Sequence, residues 1–282
     1  MELIENKSFD YERALYGSNG ITLNICTFEG ALDGESALKE SKNIIAKECT
    51  FKLRYPFWHD KRVKIICCKF AETARAPIWY SCHVGIVNTE LKSPKAIREC
   101  KGVLISGSEI TSSECGWDCQ DVKIEKSKLS GEYFMMRTND IKMSDTEFSG
   151  KYSFQYVKNA EFDNCRFDTK DAFWHAQDVT VRNSYIKGEY LGWYSENLTL
   201  ENCVIIGTQP LCYAKGLVLK NCEMHECDLA FEKSEVNATV STCLLSIKNP
   251  KKGKIIAKNA ENIIIDDKKS KCKIKLKEGK QK

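Results

Sequence analysis

Residues nineteen apart in this chain are alike. Seven segments align without gaps at that spacing, beginning at Val103, Val122, Ile141, Ala160, Val179, Leu198 and Leu217. Units from Ile44 and Val84 have the same length, the unit from Val63 is two residues longer, and the one from Ile21 is four longer. A degenerate unit starts at Val236. Counting the first residue of each unit as position zero, positions zero and two are nearly always apolar. Position seven is large and apolar, as in Phe28, Phe51, Phe70, Phe148 and Phe167. Position five is small throughout: Cys26, Cys49, Cys68, Thr89, Ser108, Ser127, Thr146, Cys165, Ser184, Cys203, Cys222 and Ser241. Columns of like side chains require like environments stacked along an axis.

A helix–turn–helix repeat needs ~33 residues or more, so this period is too short for one. Apolar residues at zero, two, five and seven describe strands with a corner after position four. Asn88, Asn164, Asn183, Asn202 and Asn221 recur at that corner, where asparagine tolerates left-handed backbone and its amides can bond from coil to coil. Gly131, Gly150, Gly188 and Gly207 mark a second corner at position nine. The expected fold is all-β, a right-handed parallel β-helix (solenoid) of about 12 coils, each ~4.8 Å above the last. It forms one domain over 1–282, with an N-terminal cap at 1–20, coils at 21–254, and a terminal strand and basic tail at 255–282. Ser8 to Leu15 reads as a short helix covering the first coil. Lys271 to Lys277 alternates apolar with lysine, as an edge strand protected by charge does.

Ala160-Glu161-Phe162-Asp163-Asn164 followed by Cys165-Arg166-Phe167-Asp168-Thr169 resembles two pentapeptide repeats, and the likeness covers positions zero to nine of most coils. Pentapeptide and pectate-lyase-like solenoids are both right-handed, and the six-residue apolar period of left-handed hexapeptide helices is missing. In length and pattern the whole chain resembles an uncharacterised bacterial family of parallel β-helix proteins, a domain of unknown function. That resemblance implies the fold and no activity.

Hydrophobic content of 42% and charged content of 29% fit an ordinary soluble protein. No apolar run reaches 18 residues, so a membrane partner is not expected. The start lacks the basic and apolar segments of a secretory signal, which makes the cytoplasm the expected compartment. Fifteen cysteines without Cys-x-x-Cys knuckles read as buried free thiols, with no metal site and no cofactor. The net charge of +4 is uneven: residues from Lys268 onward carry a surplus of seven, which leaves −3 for residues 1–267. A nucleic-acid partner is therefore not expected outside the lysine-rich tail. DNA mimicry demands a strongly acidic surface, which such a body does not supply.

Chemistry is expected on the third side of each coil, positions eleven to fifteen. Position fourteen holds every tryptophan (Trp58, Trp79, Trp117, Trp174, Trp193), together with Arg98 and Gln155. Position fifteen holds His59, Tyr80, Glu99, Asp118, Arg137, Tyr156, His175, Tyr194 and Tyr213. Neighbouring residues of a strand face opposite ways. With position fifteen in water, the tryptophans point inward as core; turned outward, they form an aromatic strip for sugar rings. The exposed row offers Glu99, Asp118, Arg137 and His175 as catalytic candidates of a glycosidase or polysaccharide lyase, where carboxylates ~5 Å apart suit a retaining mechanism. The ligand-binding candidates are Tyr133, Tyr152, Tyr156, Tyr190, Tyr194 and Tyr213. The ordinary reading of such a row is a solvated face. Two functions remain: a non-enzymatic scaffold presenting this face to a glycan or protein, and a carbohydrate-active enzyme.

Overall fold

Parallel strand pairing at the spacing of the repeat organises the computed structural model, which describes residues 1–31 and 34–278. The fold is an all-β parallel β-solenoid of about 14 turns with a period of about 19 residues, and no helix forms among the described residues. The chain divides into two compact units, Met1–Glu147 and Phe148–Lys282.

In the first unit the longer strands Glu2–Glu5, Ile21–Asn24, Lys42–Lys47, Lys61–Ile66, Cys82–Val87, Lys101–Ser106, Gln120–Glu125 and Asn139–Ser144 pair in parallel, in that order. Val63 pairs with Val84, Val84 with Val103, Val103 with Val122 and Val122 with Ile141, so the two-residue insertion leaves the register intact. In the second unit Ala160, Val179 and Leu198 are successive rungs. Its last strand, Lys273–Leu276, pairs with Lys252–Ala257 and turns its lysines to solvent.

Each corner relies on a residue in left-handed backbone. Asn88 has φ 48°, Asn164 51°, Asn183 49°, Asn202 53° and Asn221 51°. The amides link along the stack, Asn221 Nδ2 donating to Asn202 Oδ1 at 3.0 Å and Asn202 Nδ2 to Asn183 Oδ1 at 3.2 Å. At position nine the constraint is space: a Cβ on Gly188 (φ 152°) would lie 1.9 Å from the Thr169 carbonyl oxygen.

The small column at position five exists because the N–H after each corner points into the core. Thr89 N–H donates to Ser108 Oγ at 3.1 Å, and Ser108 N–H to Ser127 Oγ at 3.2 Å. The hydroxyls of Thr89, Ser108, Ser127, Thr146 and Ser184 donate in turn to the carbonyl two residues back, as Ser108 does to Ser106 at 3.0 Å. Cysteine fills the same role: Cys49 N–H meets Cys68 Sγ at 3.4 Å, and Cys165 N–H meets Ser184 Oγ at 3.0 Å. A second such column runs through Ser41, Asp60, Ser81, Cys100, Cys119 and Thr138. Asp60 is 0% exposed there; its Oδ1 accepts the Ser41 N–H at 2.8 Å and its Oδ2 has no hydrogen-bond partner. Burial pushes its carboxyl up to about 8. Beside these columns, Phe9, Phe28, Phe51 and Phe70 stack at 4.7–5.0 Å.

Two expectations are corrected. Ser8 to Leu15 forms no helix: Ser8–Phe9 is a strand on Thr27–Phe28, and Phe9 joins the phenylalanine column. The residues before Ile21 are thus a further turn, which accounts for part of the rise from 12 to about 14. Its register places Glu2 at position zero and Lys7 at position five. Glu2 and Lys7 are both exposed, so the apolar pattern lapses in this turn.

Candidate binding face

On the third side three successive coils carry strands of only two residues, Phe57–Trp58, Ile78–Trp79 and Ile97–Arg98, and later coils turn there without a strand. Phe57, Ile78 and Ile97 point into the core. The residue at position fifteen is left-handed: His59, Tyr80, Glu99, Asp118 and Arg137 have φ between 49° and 59°. That geometry cancels strict alternation, so positions fourteen and fifteen both lie outside position thirteen. The tryptophans are accordingly neither core nor an open strip; all five are half-buried.

Each indole has a fixed polar partner. Trp58 Nε1 donates to Ala76 O at 2.7 Å, Trp79 to Lys95 O at 2.6 Å and Trp117 to Tyr133 O at 2.6 Å. In the second unit Trp174 donates to Tyr190 O and Trp193 to Gln209 O, both at 2.7 Å. Gln155 occupies the same column and does the same with its amide, Nε2 to Asp171 O at 3.1 Å. Arg98 substitutes in another way. Its guanidinium lies 5.1 Å from the Trp79 ring and 5.0 Å from the Trp117 ring, a planar cation between two indoles. The accepting carbonyl lies sixteen residues on, or eighteen for Trp58 across the two-residue insertion; the recurrence of a side-chain N–H donor at position fourteen is the signal in the sequence, and hydrophobicity alone hides it.

Within the first unit, His59 stacks on Tyr80 at 4.9 Å and Trp58 on Trp79 at 5.2 Å. Arg137 grips Asp118 with both ends of its fork, Nε to Oδ1 and Nη2 to Oδ2, each at 2.7 Å. The same guanidinium lies 5.4 Å from the Trp117 ring. Glu99 faces Arg98 at 3.9 Å. The structure thus brings Asp118 and Arg137 together as an ion pair, with Glu99 one coil before them. Tyr133 packs its ring edge-on to Trp117 at 6.4 Å.

His175 belongs to the second unit. Its ring is sandwiched between Tyr156 at 4.9 Å and Tyr194 at 5.0 Å, with interplanar angles of 6° and 7°. Tyr213 stacks on Tyr194 at 4.8 Å. Tyr156 and Tyr194 remain 45% and 44% exposed. Stacking covers both faces of His175 and Tyr194 and one face each of Tyr156 and Tyr213, so the row offers solvent chiefly its hydroxyl and imidazole edges. Burial, and after it Glu232, raises the Tyr213 phenol above its ordinary value, which keeps it a neutral donor. Tyr190 lies edge-on to Trp193 at 5.2 Å, and Tyr152 lies under the Lys151 ammonium at 5.6 Å. Tyr194 and Tyr213 also border a cavity of about 470 Å³ that Lys215, Lys233, Lys251 and Lys269 share with Glu235 and Asp267.

All fifteen cysteines are free thiols. Burial pushes Cys115, Cys212 and Cys227 up to about 12, so these are packing groups and not nucleophiles at neutral pH. Among the described residues no three His, Cys, Asp or Glu side chains are grouped to hold a metal ion.

No curated protein matches the chain. Among solved structures it is similar to PfbA, a surface adhesin of Streptococcus pneumoniae. The identity is 11% over 92% of this chain and 85% of that one, and the TM-score is 0.44. It is also similar to the catalytic domain of a GH87 alpha-1,3-glucanase in complex with tetrasaccharides, at 9% identity over 99% of this chain and 64% of that one, with a TM-score of 0.31. Neither likeness bears on what this chain binds or does. One family pattern spans nearly the whole sequence, residues 2–277, and by that match the chain belongs to DUF3737, a family of proteins of unknown function.

Proposed function

We propose that the protein is a non-enzymatic binding scaffold, and that the row Tyr156, His175, Tyr194 and Tyr213 presents its polar edges to a glycan. The observation that carries this reading is the stacking of those four rings at 4.8–5.0 Å. Rings whose faces are taken by their neighbours cannot stack on sugars, but a regular line of hydroxyl and imidazole groups suits a polyhydroxylated chain. The lysines beside Tyr213 outnumber the acids there, which favours acidic sugars at that end. A protein partner would engage the same edges.

The catalytic alternative asks Asp118 to act as nucleophile or base while Arg137 holds both its oxygens, which weakens it. Glycan-array screening followed by calorimetry at low and high salt tests the proposal. Saturable binding, weakened by Tyr194→Ala and by salt, with no turnover of the bound glycan, is the expected result. Hydrolysis or elimination of a glycan that Asp118→Asn abolishes would replace the scaffold reading with the enzymatic one.

A further inference from the structure

The longer-strand side of the first unit carries a depression of about 660 Å³ that the tyrosine row does not touch. Its volume lies within the ~300–1,000 Å³ range of small-molecule sites. Two adjacent gaps in otherwise regular rows create it. One outward row runs Ile45, Lys64, Gly85, Leu104 and Lys123, rung by rung. Gly85 is the missing side chain, and a Cβ there would meet nothing nearer than Val63 O at 4.0 Å. The neighbouring row passes through Arg62, His83, Gly102 and Asp121, and Gly102 is its gap. A Cβ on Gly102 would find His83 Cδ2 at 3.5 Å and Asp121 Oδ2 at 3.7 Å, so both side chains lean over the bare backbone.

The charge around this hollow is one-sided. Arg62 Nε donates to the neutral Asn43 Oδ1 at 2.6 Å, and among the described residues no carboxylate lies at ion-pair distance from it. Lys64 is exposed and has no carboxylate at ion-pair distance among the described residues. Lys123 is paired with Glu125 at 2.6 Å, and Asp121 is the one acid lining the hollow. The floor is strand backbone with half-buried Ile45 and Leu104 at its sides.

We propose that this hollow binds a small organic anion with a flat apolar body, an aryl carboxylate or sulfonate being the simplest form. The body lies over Gly85 against Leu104 and the Lys64 stem, and the anionic group sits between Lys64 and the Arg62 guanidinium. Nothing in this site depends on the tyrosine row.

The test is a fluorescence titration of the full chain with 8-anilinonaphthalene-1-sulfonate, alongside N-phenyl-1-naphthylamine, which has the same rings without the sulfonate. Saturable one-site binding of the sulfonate is expected. It should weaken at least about tenfold in Gly85→Leu, which fills the hollow, and at least about tenfold in Lys64→Glu. Leucine is tolerated in that row at Leu104, so Gly85→Leu should melt like the wild type. If it does not, the exposed Lys64→Glu variant decides. Absence of saturable binding overturns the proposal, as does unchanged affinity in Gly85→Leu that melts like the wild type. Unchanged affinity in Lys64→Glu, or equal affinity for the uncharged amine, overturns the anion assignment and with it the proposal.

Discussion

Ser108 stands for the whole small column. Its hydroxyl oxygen accepts the buried Thr89 N–H, and its proton goes to the Ser106 carbonyl. Ser108→Ala leaves the Thr89 N–H unsatisfied in the core, while the Ser106 carbonyl still accepts the Asn88 N–H at 3.0 Å, and should cost about 1–3 kcal/mol in urea denaturation. Ser108→Cys should cost less than about 1 kcal/mol, because cysteines such as Cys68 do the same work in the same column. Asp60 is the exception among these residues, an acid where neighbours carry hydroxyls and thiols. Its carboxyl is raised to about 8 in the folded chain by burial, from an ordinary 3.8. The folded state therefore holds a proton that the unfolded state has lost between those values. The stabilisation is complete below pH ~4, declines as pH rises, and is gone above pH ~8. Asp60→Asn keeps the acceptor for Ser41 N–H and cannot ionise. Its stability relative to wild type, measured by chemical denaturation, should rise from pH 5 to pH 8. A difference that stays flat would mean that Asp60 is ionised when folded.

At the scale of the element, corners set the fold's tolerance. Gly188→Ala places a methyl group 1.9 Å from the Thr169 oxygen, and a shift of that turn must break the ladder below it. A loss of more than about 3 kcal/mol, or no soluble folded protein, is expected. Gly20 also has positive φ, 77°, but a Cβ there meets nothing within 4 Å. Gly20→Ala should therefore cost only about 1 kcal/mol, and thermal melts of the two variants side by side separate crowding from backbone preference. Elements of this kind were legible in the sequence where a side chain has one job in every coil. Position five is such a place, since inward polar backbone admits few residue types; the other corner is legible where it carries asparagine and hidden where Ile25, Glu48, Cys67 or Lys126 takes the same left-handed φ. The third side was read less well. Alternation sets positions fourteen and fifteen on opposite faces, and the left-handed residue at position fifteen removes it. Left-handed backbone is readable at asparagine or glycine, but here it falls on His59, Tyr80, Glu99 and Asp118. Nor did the rows hold Gly85 and Gly102 up to notice, because an outward gap leaves the core pattern untouched.

At the scale of the molecule, a solenoid must protect the strand edges where its stacking stops. Among the described residues Lys273–Leu276 is bonded on one side only, to Lys252–Ala257, and carries Lys273 and Lys275 outward, with Lys277 following. Replacing all three by threonine should leave the fold intact and raise light scattering on concentration, because threonine suits an open edge and removes its charge. A variant that stays monodisperse would assign those lysines another purpose. The binding face and the anion site likewise depend on coils lying in register, since each is assembled from residues on successive turns. The measurement that tests this most directly is a nuclear Overhauser spectrum of the aromatic side chains, with histidine and tyrosine selectively labelled. The His175 ring protons should show cross-peaks to both Tyr156 and Tyr194, and the Tyr194 ring to Tyr213, each partner nineteen residues away. A folded protein whose His175 ring contacts neither tyrosine would contradict the account.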